Sequence, residues 1–453
     1  MAESHESRRS AIALVDGEHY PDVTRDTLRY LEESMGYRVV AVVFLGGTEK
    51  LLDPGTMSFN DVPVYVDSGM LEGLRVALAR HRVEEVVDLS DEPILGYRER
   101  FRLISETLAH GVSYRGADFC FRSPDRPYLC EKASIGVWGS GKRVGKTAIS
   151  GHLARYLLSK GTRLCVCTMG RGGPPDPELL DVPLEVTDEY LRGRVERGDH
   201  AASDHFENAM MGQVVAVGCR RCGGGMAGEP FCSNVRQGAG VACGLDVDTV
   251  IFEGSGAAIP PVGVDAVLLT VSAAQPLEYI LGYLGPYRLL LSDLVVVTMC
   301  EKSLVSSAKL VNLIDGIHAI NPKAKVVKTV FRPRPLDDLR GKKVFLASTA
   351  PAEAVEVQGR HLARQHGALV MGTSPNLADR RKLEEDLKGA IEAEVMITEL
   401  KAAGVDTVSR FAKREGKSLV YIENCPVSVE GNLDSGIDHL LELARERHRA
   451  RQS

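Results

Sequence analysis

The chain has 453 residues, 44% hydrophobic and 26% charged, with a formal net charge of -6. That length exceeds one ordinary core and suits two or three α/β units. The acidic balance argues against a nucleic-acid footprint, which carries a basic surplus, and no run approaches the roughly 18 apolar residues needed to span a membrane. Met1 to Ser10 is polar, with no following apolar stretch of the kind a secretory signal needs, so a cytoplasmic protein is expected. In that setting the ten cysteines read as free thiols or ligands rather than as a disulfide framework.

Short β-branched runs alternate with amphipathic segments from the start of the chain, the pattern of strands feeding helices in a parallel sheet. Strands are predicted over Ala11–Val15, Arg38–Phe44, Val62–Val66 and Glu85–Leu89, with helices over Val23–Met35 and Leu71–His81. A turn-rich stretch around Ser123-Pro-Asp-Arg-Pro127 marks a boundary. Seven further strands follow: Ser134–Trp138, Arg163–Thr168, Val214–Val217, Thr249–Phe252, Asp265–Val271, Leu294–Thr298 and Lys325–Phe331, enough for a doubly wound sheet. Beyond the strand at 341–347, helices are expected over Glu353–His366, Leu377–Ala393 and Asp406–Arg414, with a strand over Leu419–Ile422. The expected architecture is α/β throughout. It comprises an N-terminal Rossmann-like parallel α/β domain (1–125), a P-loop NTPase domain with a doubly wound, mostly parallel sheet (126–350), and a C-terminal α/β region (351–453). That last region either stands alone or completes the other two.

The strongest chemical signal is Gly139-Ser-Gly-Lys-Arg-Val-Gly145-Lys146-Thr147, set between an apolar strand and a helix rich in Ala, Ile and Leu. Glycines 139, 141 and 145 let backbone N–H groups converge on phosphate oxygens, and the helix start through Ala148 adds its partial positive charge. Lys146 reaches the β- and γ-phosphates of ATP, and Thr147 offers a hydroxyl to Mg²⁺. Lys142 and Arg143 either clamp the transferring phosphoryl group or face solvent. The loop is one residue longer than the usual Walker A pattern and resembles that of dethiobiotin synthetase. The strand Asp248–Phe252 runs into Glu253-Gly-Ser-Gly256, which makes Glu253 the candidate Mg²⁺ carboxylate, and this segment also resembles dethiobiotin synthetases.

Other loops offer cations for a second anion. Arg171 sits among glycines in Met169-Gly-Arg-Gly-Gly173, and Arg220 and Arg221 precede Gly223-Gly-Gly225. Cys219 and Cys222 in that second loop leave a metal site as the rival reading. Asp16, Glu18 and His19 gather at a strand end, Lys50 follows a glycine turn at 46–47, and Lys401 follows Glu399.

Leu14-Val-Asp-Gly-Glu-His-Tyr-Pro21, Phe44-Leu-Gly-Gly-Thr-Glu-Lys50, Asp88-Leu-Ser-Asp-Glu-Pro93, the phosphate loop, Arg220-Arg-Cys-Gly-Gly-Gly225 and Glu399-Leu-Lys-Ala-Ala403 together resemble the cyclic 2,3-diphosphoglycerate synthetase family. The resemblance covers most of the chain. It implies use of ATP and Mg²⁺ to close 2,3-bisphosphoglycerate into a ring through an intramolecular phosphoanhydride. It also implies catalytic work at Lys146, Glu253, Lys142 and Arg143, and substrate contacts at Asp16, Glu18, His19, Lys50, Arg171, Arg220, Arg221 and Lys401. A homodimer is expected from size, since α/β enzymes of this length are often symmetric pairs. Another ring-closing ligase of the dethiobiotin synthetase type, a nucleotide-switch protein and a metal-binding module stay open. Gly141 stands where the switch proteins carry a signature lysine, which weighs against them.

Overall fold

The computed structural model describes residues 8–47, 59, 62–66, 69–181, 187–196, 204–401 and 404–453. They divide into two units, Met1–Pro124 with Leu277–Leu291, and Asp125–Pro276 with Ser292–Ser453.

The first unit is built on β1 (Arg9–Val15), β2 (Tyr37–Phe44), β3 (Val64–Tyr65), β4 (Glu85–Asp88), β5 (Ser113–Arg115) and β6 (Cys120–Phe121). Their order is β3-β2-β1-β4-β5-β6, with only β5 and β6 antiparallel. Ala11 to Leu14 are fully buried, so β1 is apolar on both faces, as a central parallel strand must be. The order reverses between β1 and β4, the switch point at which open α/β sheets present a crevice. The helix Pro21–Glu33 starts two residues earlier than periodicity predicts, because Pro21 presets its first turn. A helix over Tyr97–Ala109, absent from the sequence reading, buries Leu103, Ile104 and Leu108. Arg98, Glu99, Arg100 and Arg102 mask its apolar stripe.

The second unit holds β7 (Ala133–Gly139), β8 (Leu164–Gly170), β9 (Glu178–Leu180), β10 (Val215–Cys222), β11 (Cys232–Ser233), β12 (Thr249–Glu253), β13 (Ala266–Ser272), β14 (Leu294–Thr298) and β15 (Lys325–Pro335). β16 (Lys343–Ala347), β17 (Leu369–Ser374), β18 (Val395–Glu399) and β19 (Ser418–Glu430) follow. The seven expected strands stand side by side as β10-β8-β12-β7-β13-β14-β15, all parallel. The sheet does not stop there. It continues β15-β19-β18-β16-β17, through an antiparallel ribbon of the 11-residue β15 and the 13-residue β19.

Register explains what this ribbon does. β14 meets β15 only over Lys325–Lys328, whereas β18 meets β19 over Ser418–Ile422, opposite the far end of β15 at Pro335. Because β19 runs against β15, the parallel strands on either side point their carboxyl ends toward each other. Loops after β7, β8 and β12 therefore share a space with loops after β16 and β18.

The helix Leu433–Gln452 then returns to the nucleotide half, where Leu433, Ile437 and Leu440 join Ile135, Val137, Ile149 and Leu153 in one core. The expected helix Leu377–Ala393 is shorter: Asp379 caps a helix over Arg380–Asp386, which tightens into a 3₁₀ turn over Leu387–Ala390. The expected helix Asp406–Arg414 opens as a π turn over Gly404–Val408 before Ser409–Arg414. Cys130 and Cys243 form a disulfide, against the expectation of free thiols. Among the described residues no helix is long and apolar enough to cross a membrane.

Candidate active site

β7 ends at Gly139 and the helix Lys146–Ser159 begins seven residues later. Gly145 caps that helix with φ +84°, and a Cβ there would lie 2.3 Å from the Phe331 ring. Only glycine satisfies both the backbone angle and the space. The side chains of Lys142 and Arg143 are exposed on the loop, and Ala148 is buried in the helix behind it.

Lys146 Nζ lies 2.5 Å from Glu253 Oε1, with both side chains buried. The other carboxylate oxygen of Glu253 accepts from Asn208 Nδ2 at 2.9 Å. Lys146 and the strand-end acid, 107 residues apart in the chain, thus meet directly.

A cleft of about 330 Å³ opens over the loop, and its walls include Thr147, Arg171, Asp204, Gly256, Thr349 and Lys401. Arg171 and Lys401 come from loops after β8 and β18, which the facing strand sets bring together. Arg221 sits directly behind the wall, donating to Ser255 O at 2.8 Å and to the Gly223 carbonyl, with its Nε unpartnered. Its guanidinium is buried, and burial followed by the charge of Arg171 pulls its pKa below the ordinary value. A Cβ on Gly256 would lie 3.1 Å from Arg171 Nη2 and 3.8 Å from Arg221 Nη2, so the two cations crowd one small turn. Two like charges held this close, with no carboxylate paired to either among the described residues, define a place where an anion is stabilised.

Arg220 departs from this set. It is next to Arg221 on a strand, where successive side chains alternate, and it is exposed while Arg221 is buried. Cys219 and Cys222, three apart on β10, alternate likewise: Cys219 is buried 3.8 Å from Cys167 Sγ and Cys222 is exposed. They do not converge on a metal.

In the first unit, Asp16 is spent on its own loop. Its Oδ1 accepts from the backbone of Glu18 and His19 and approaches His19 Nδ1 at 2.8 Å, and its Oδ2 accepts from the backbone of Asp91 at 2.6 Å. Asp16, Glu18 and His19 thus form one strand-end knot at the switch point. Lys50 lies outside the described residues.

The sequence reading missed Asp204, Glu207 and Asn208. They share a face of the helix Asp204–Met211 at i, i+3 and i+4, and that spacing of polar residues was the available signal. Glu207 Oε1 pairs with Lys401 Nζ at 3.3 Å. Burial, reinforced by Asp204 and Glu253, pushes the Glu207 carboxyl up to about 7 despite Lys401. Glu399 was read as a neighbour of Lys401, but it accepts from Thr349 Oγ1 at 2.7 Å and Thr349 N at 3.2 Å and so fixes the Thr349 wall. Thr147 and Asp204 line the cleft while Glu253 lies behind Lys146, and all three carry oxygen donors, the kind a hard cation takes.

Comparison with known proteins assigns this assembly to a family. Models for cyclic 2,3-diphosphoglycerate synthetase match in three parts: its N-terminal domain over residues 10–122, its P-loop domain over 134–330 and its C-terminal domain over 335–425. A protein of that name from Rubrobacter xylanophilus is 48% identical, covering 97% of this chain and 98% of its own. One from Thermococcus gammatolerans is 49% identical over 93% and 94%. Another from Methanothermus fervidus is 43% identical over 96% and 97%. With a buried P-loop lysine, a strand-end acid and cations from distant loops in one cleft, the chain belongs to the cyclic 2,3-diphosphoglycerate synthetase family.

Proposed function

We propose that this enzyme uses ATP and Mg²⁺ to convert 2,3-bisphosphoglycerate into cyclic 2,3-diphosphoglycerate, releasing ADP and phosphate. The observation that carries the proposal is the single cleft in which the phosphate loop meets Arg171, Lys401 and the turn backed by Arg221. A substrate with two phosphates and a carboxylate, beside ATP, needs more cations than one nucleotide loop supplies.

The γ-phosphoryl group passes first to one phosphate of the substrate. The second phosphate then attacks the inner phosphorus of the pyrophosphate so formed, a P–O bond closes the ring, and the outer group leaves as inorganic phosphate. The attacking oxygen is tethered to its target, which removes most of the entropic cost of the encounter. Arg171 and Arg221 offset the repulsion between the two substrate phosphates, and Lys146 holds the transferring group. Thr147 and Glu253, with Asp204 on the cleft wall, would hold Mg²⁺, and that ion would supply neutralisation of phosphate charge.

³¹P NMR of the protein with ATP, Mg²⁺ and 2,3-bisphosphoglycerate tests the reading. A cyclic pyrophosphate signal growing with one ADP and one phosphate per ring is expected. Unchanged bisphosphoglycerate alongside ATP hydrolysis would discard it.

Glu207 gives the reaction a pH dependence. Its folded-state pKa of about 7 stands above the ordinary 4.5, so the folded protein holds this proton more tightly than the unfolded chain. The resulting contribution to stability falls as pH rises from 4.5 to about 7. Above that range the ionised carboxylate competes with substrate for Lys401. KM for bisphosphoglycerate should therefore climb between pH 6 and 8 several-fold more in the wild type than in Glu207→Gln, measured by ADP release. Parallel profiles would remove Glu207 from control of Lys401.

A further inference from the structure

β11 is the edge strand of the large sheet and pairs antiparallel with the end of β10, Arg221 opposite Ser233 and Cys222 opposite Cys232. Side chains directly opposite in such a pair share a face. Both cysteines are free and exposed, and Phe231 beside them is 95% exposed, so a small reagent in solvent reaches either sulfur. The other exposed cysteine, Cys120, faces Arg115 in the first unit rather than a second thiol.

Opposite residues of an antiparallel pair keep their Cα atoms about 4.5 to 5.5 Å apart, inside the span of roughly 4.4 to 6.8 Å that a disulfide bridges. Their Cβ atoms stand about 4.5 to 5.5 Å apart before a bond forms and about 3.8 Å apart after it, so closure draws the two strands together by about 1 Å.

The hairpin that contracts is tied to both arginine loops of the cleft. Gly223, next to Cys222, accepts from the Arg221 guanidinium through its carbonyl. Asn234, two residues past Cys232, accepts from Arg220 N at 2.7 Å. Its amide nitrogen donates to Pro174 O at 3.2 Å and Pro175 O at 3.0 Å, in the loop that carries Arg171. At the tip of the hairpin Gly228 O accepts from Ile259 N at 2.8 Å, just beyond the turn at Ser255–Gly256.

We propose that Cys222 and Cys232 form a reversible dithiol–disulfide switch, and that closing it weakens the hold of Arg171 and Arg221 on the substrate. A low-molecular-weight disulfide is the oxidant. One cysteine thiolate attacks it, its S–S bond breaks and one thiol leaves; the second cysteine then attacks the mixed disulfide and expels the other thiol. Two cysteine thiols are oxidised and one external disulfide is reduced to two thiols, which carry away the two protons. The effect on substrate rests on the bisphosphoglycerate reading of the cleft; the bond itself does not.

The test incubates the full chain with glutathione disulfide, blocks remaining thiols with iodoacetamide and digests with trypsin. Both cysteines fall on the one tryptic peptide Cys222–Arg236. That peptide should emerge unalkylated and two hydrogens lighter, and should carry two alkyl groups after dithiothreitol. Cys232→Ser should instead retain glutathione on Cys222. A wild-type peptide that stays doubly alkylated, or holds glutathione, overturns the switch. The oxidised protein should then show a KM for bisphosphoglycerate raised several-fold and restored by dithiothreitol, with KM for ATP little changed. The double variant Cys222→Ser with Cys232→Ser, treated alike, should not respond. An unchanged KM in the disulfide form, or an equal rise in the double variant, overturns the coupling to the arginines. Absence of cyclic product even from reduced protein would sink the bisphosphoglycerate reading, while the bond would still be read by mass.

Discussion

Lys146→Met should lower ATP-dependent turnover by about three orders of magnitude, in the range seen when a charge that stabilises a transferring phosphoryl group is removed. The same substitution strands Glu253, which is fully buried and, among the described residues, otherwise hydrogen-bonded only by Asn208. Breaking one partner of a buried pair costs about 3 to 5 kcal/mol, so the variant should also unfold at markedly lower denaturant. The two losses separate in the double variant Lys146→Met with Glu253→Gln. Removing both charges eliminates the uncompensated one, and most of the stability should return while turnover stays absent. Chemical denaturation and ADP release measured on all three proteins decide the matter. A single variant retaining more than a tenth of wild-type turnover would exclude Lys146 from phosphoryl transfer. The 2.5 Å pair is on this reading the resting arrangement, in which the acid keeps the lysine oriented until nucleotide phosphates replace it.

The second large effect is expected at the crowded turn. Arg221→Met should raise KM for bisphosphoglycerate by roughly 10- to 100-fold, the weight of one or two charge-assisted hydrogen bonds, and Arg171→Met should act in the same direction. Stability should move the other way for Arg171→Met, since Arg221 would lose a like-charged neighbour. Arg221→Lys should not rescue binding, because a point charge cannot reproduce two donors fixed on Ser255 and Gly223. Steady-state kinetics with ATP held saturating separates this from a nucleotide effect: KM for ATP should change little. Equal KM for both substrates in the variant and wild type would remove the turn from the substrate site.

The sequence was informative where one local rule decides the outcome. β7 and the phosphate loop follow from an apolar strand meeting glycines and Lys146-Thr147, and Glu253 from a strand ending in an acid and small residues. The arginine pair was legible only in part: the composition of the loop pointed to Arg220 and Arg221 together, but strand alternation separates them and Arg221 joins Arg171 instead. What brings those two close is the turn at Ser255–Gly256, a contact between segments whose separation no periodicity reports. The sheet beyond β15 was hidden for a similar reason. β15 and β19 pair across about 90 residues, and each alone reads as an ordinary strand. Charged residues in the first turns of the helix Tyr97–Ala109 obscured an element whose second half, Leu103 to Leu108, is buried all round.

The core shared by the helix Leu433–Gln452 and the strands beneath the phosphate loop has a temporal meaning during synthesis. Ile135 and Val137 leave the ribosome about 300 residues before Leu433, Ile437 and Leu440 that cover them. At translation rates of about 5 to 20 residues per second, that interval is roughly 15 to 60 s. Throughout it the nucleotide strands are covered on that side only by the helix Lys146–Ser159, and the apolar surface that Leu433, Ile437 and Leu440 later fill stays open.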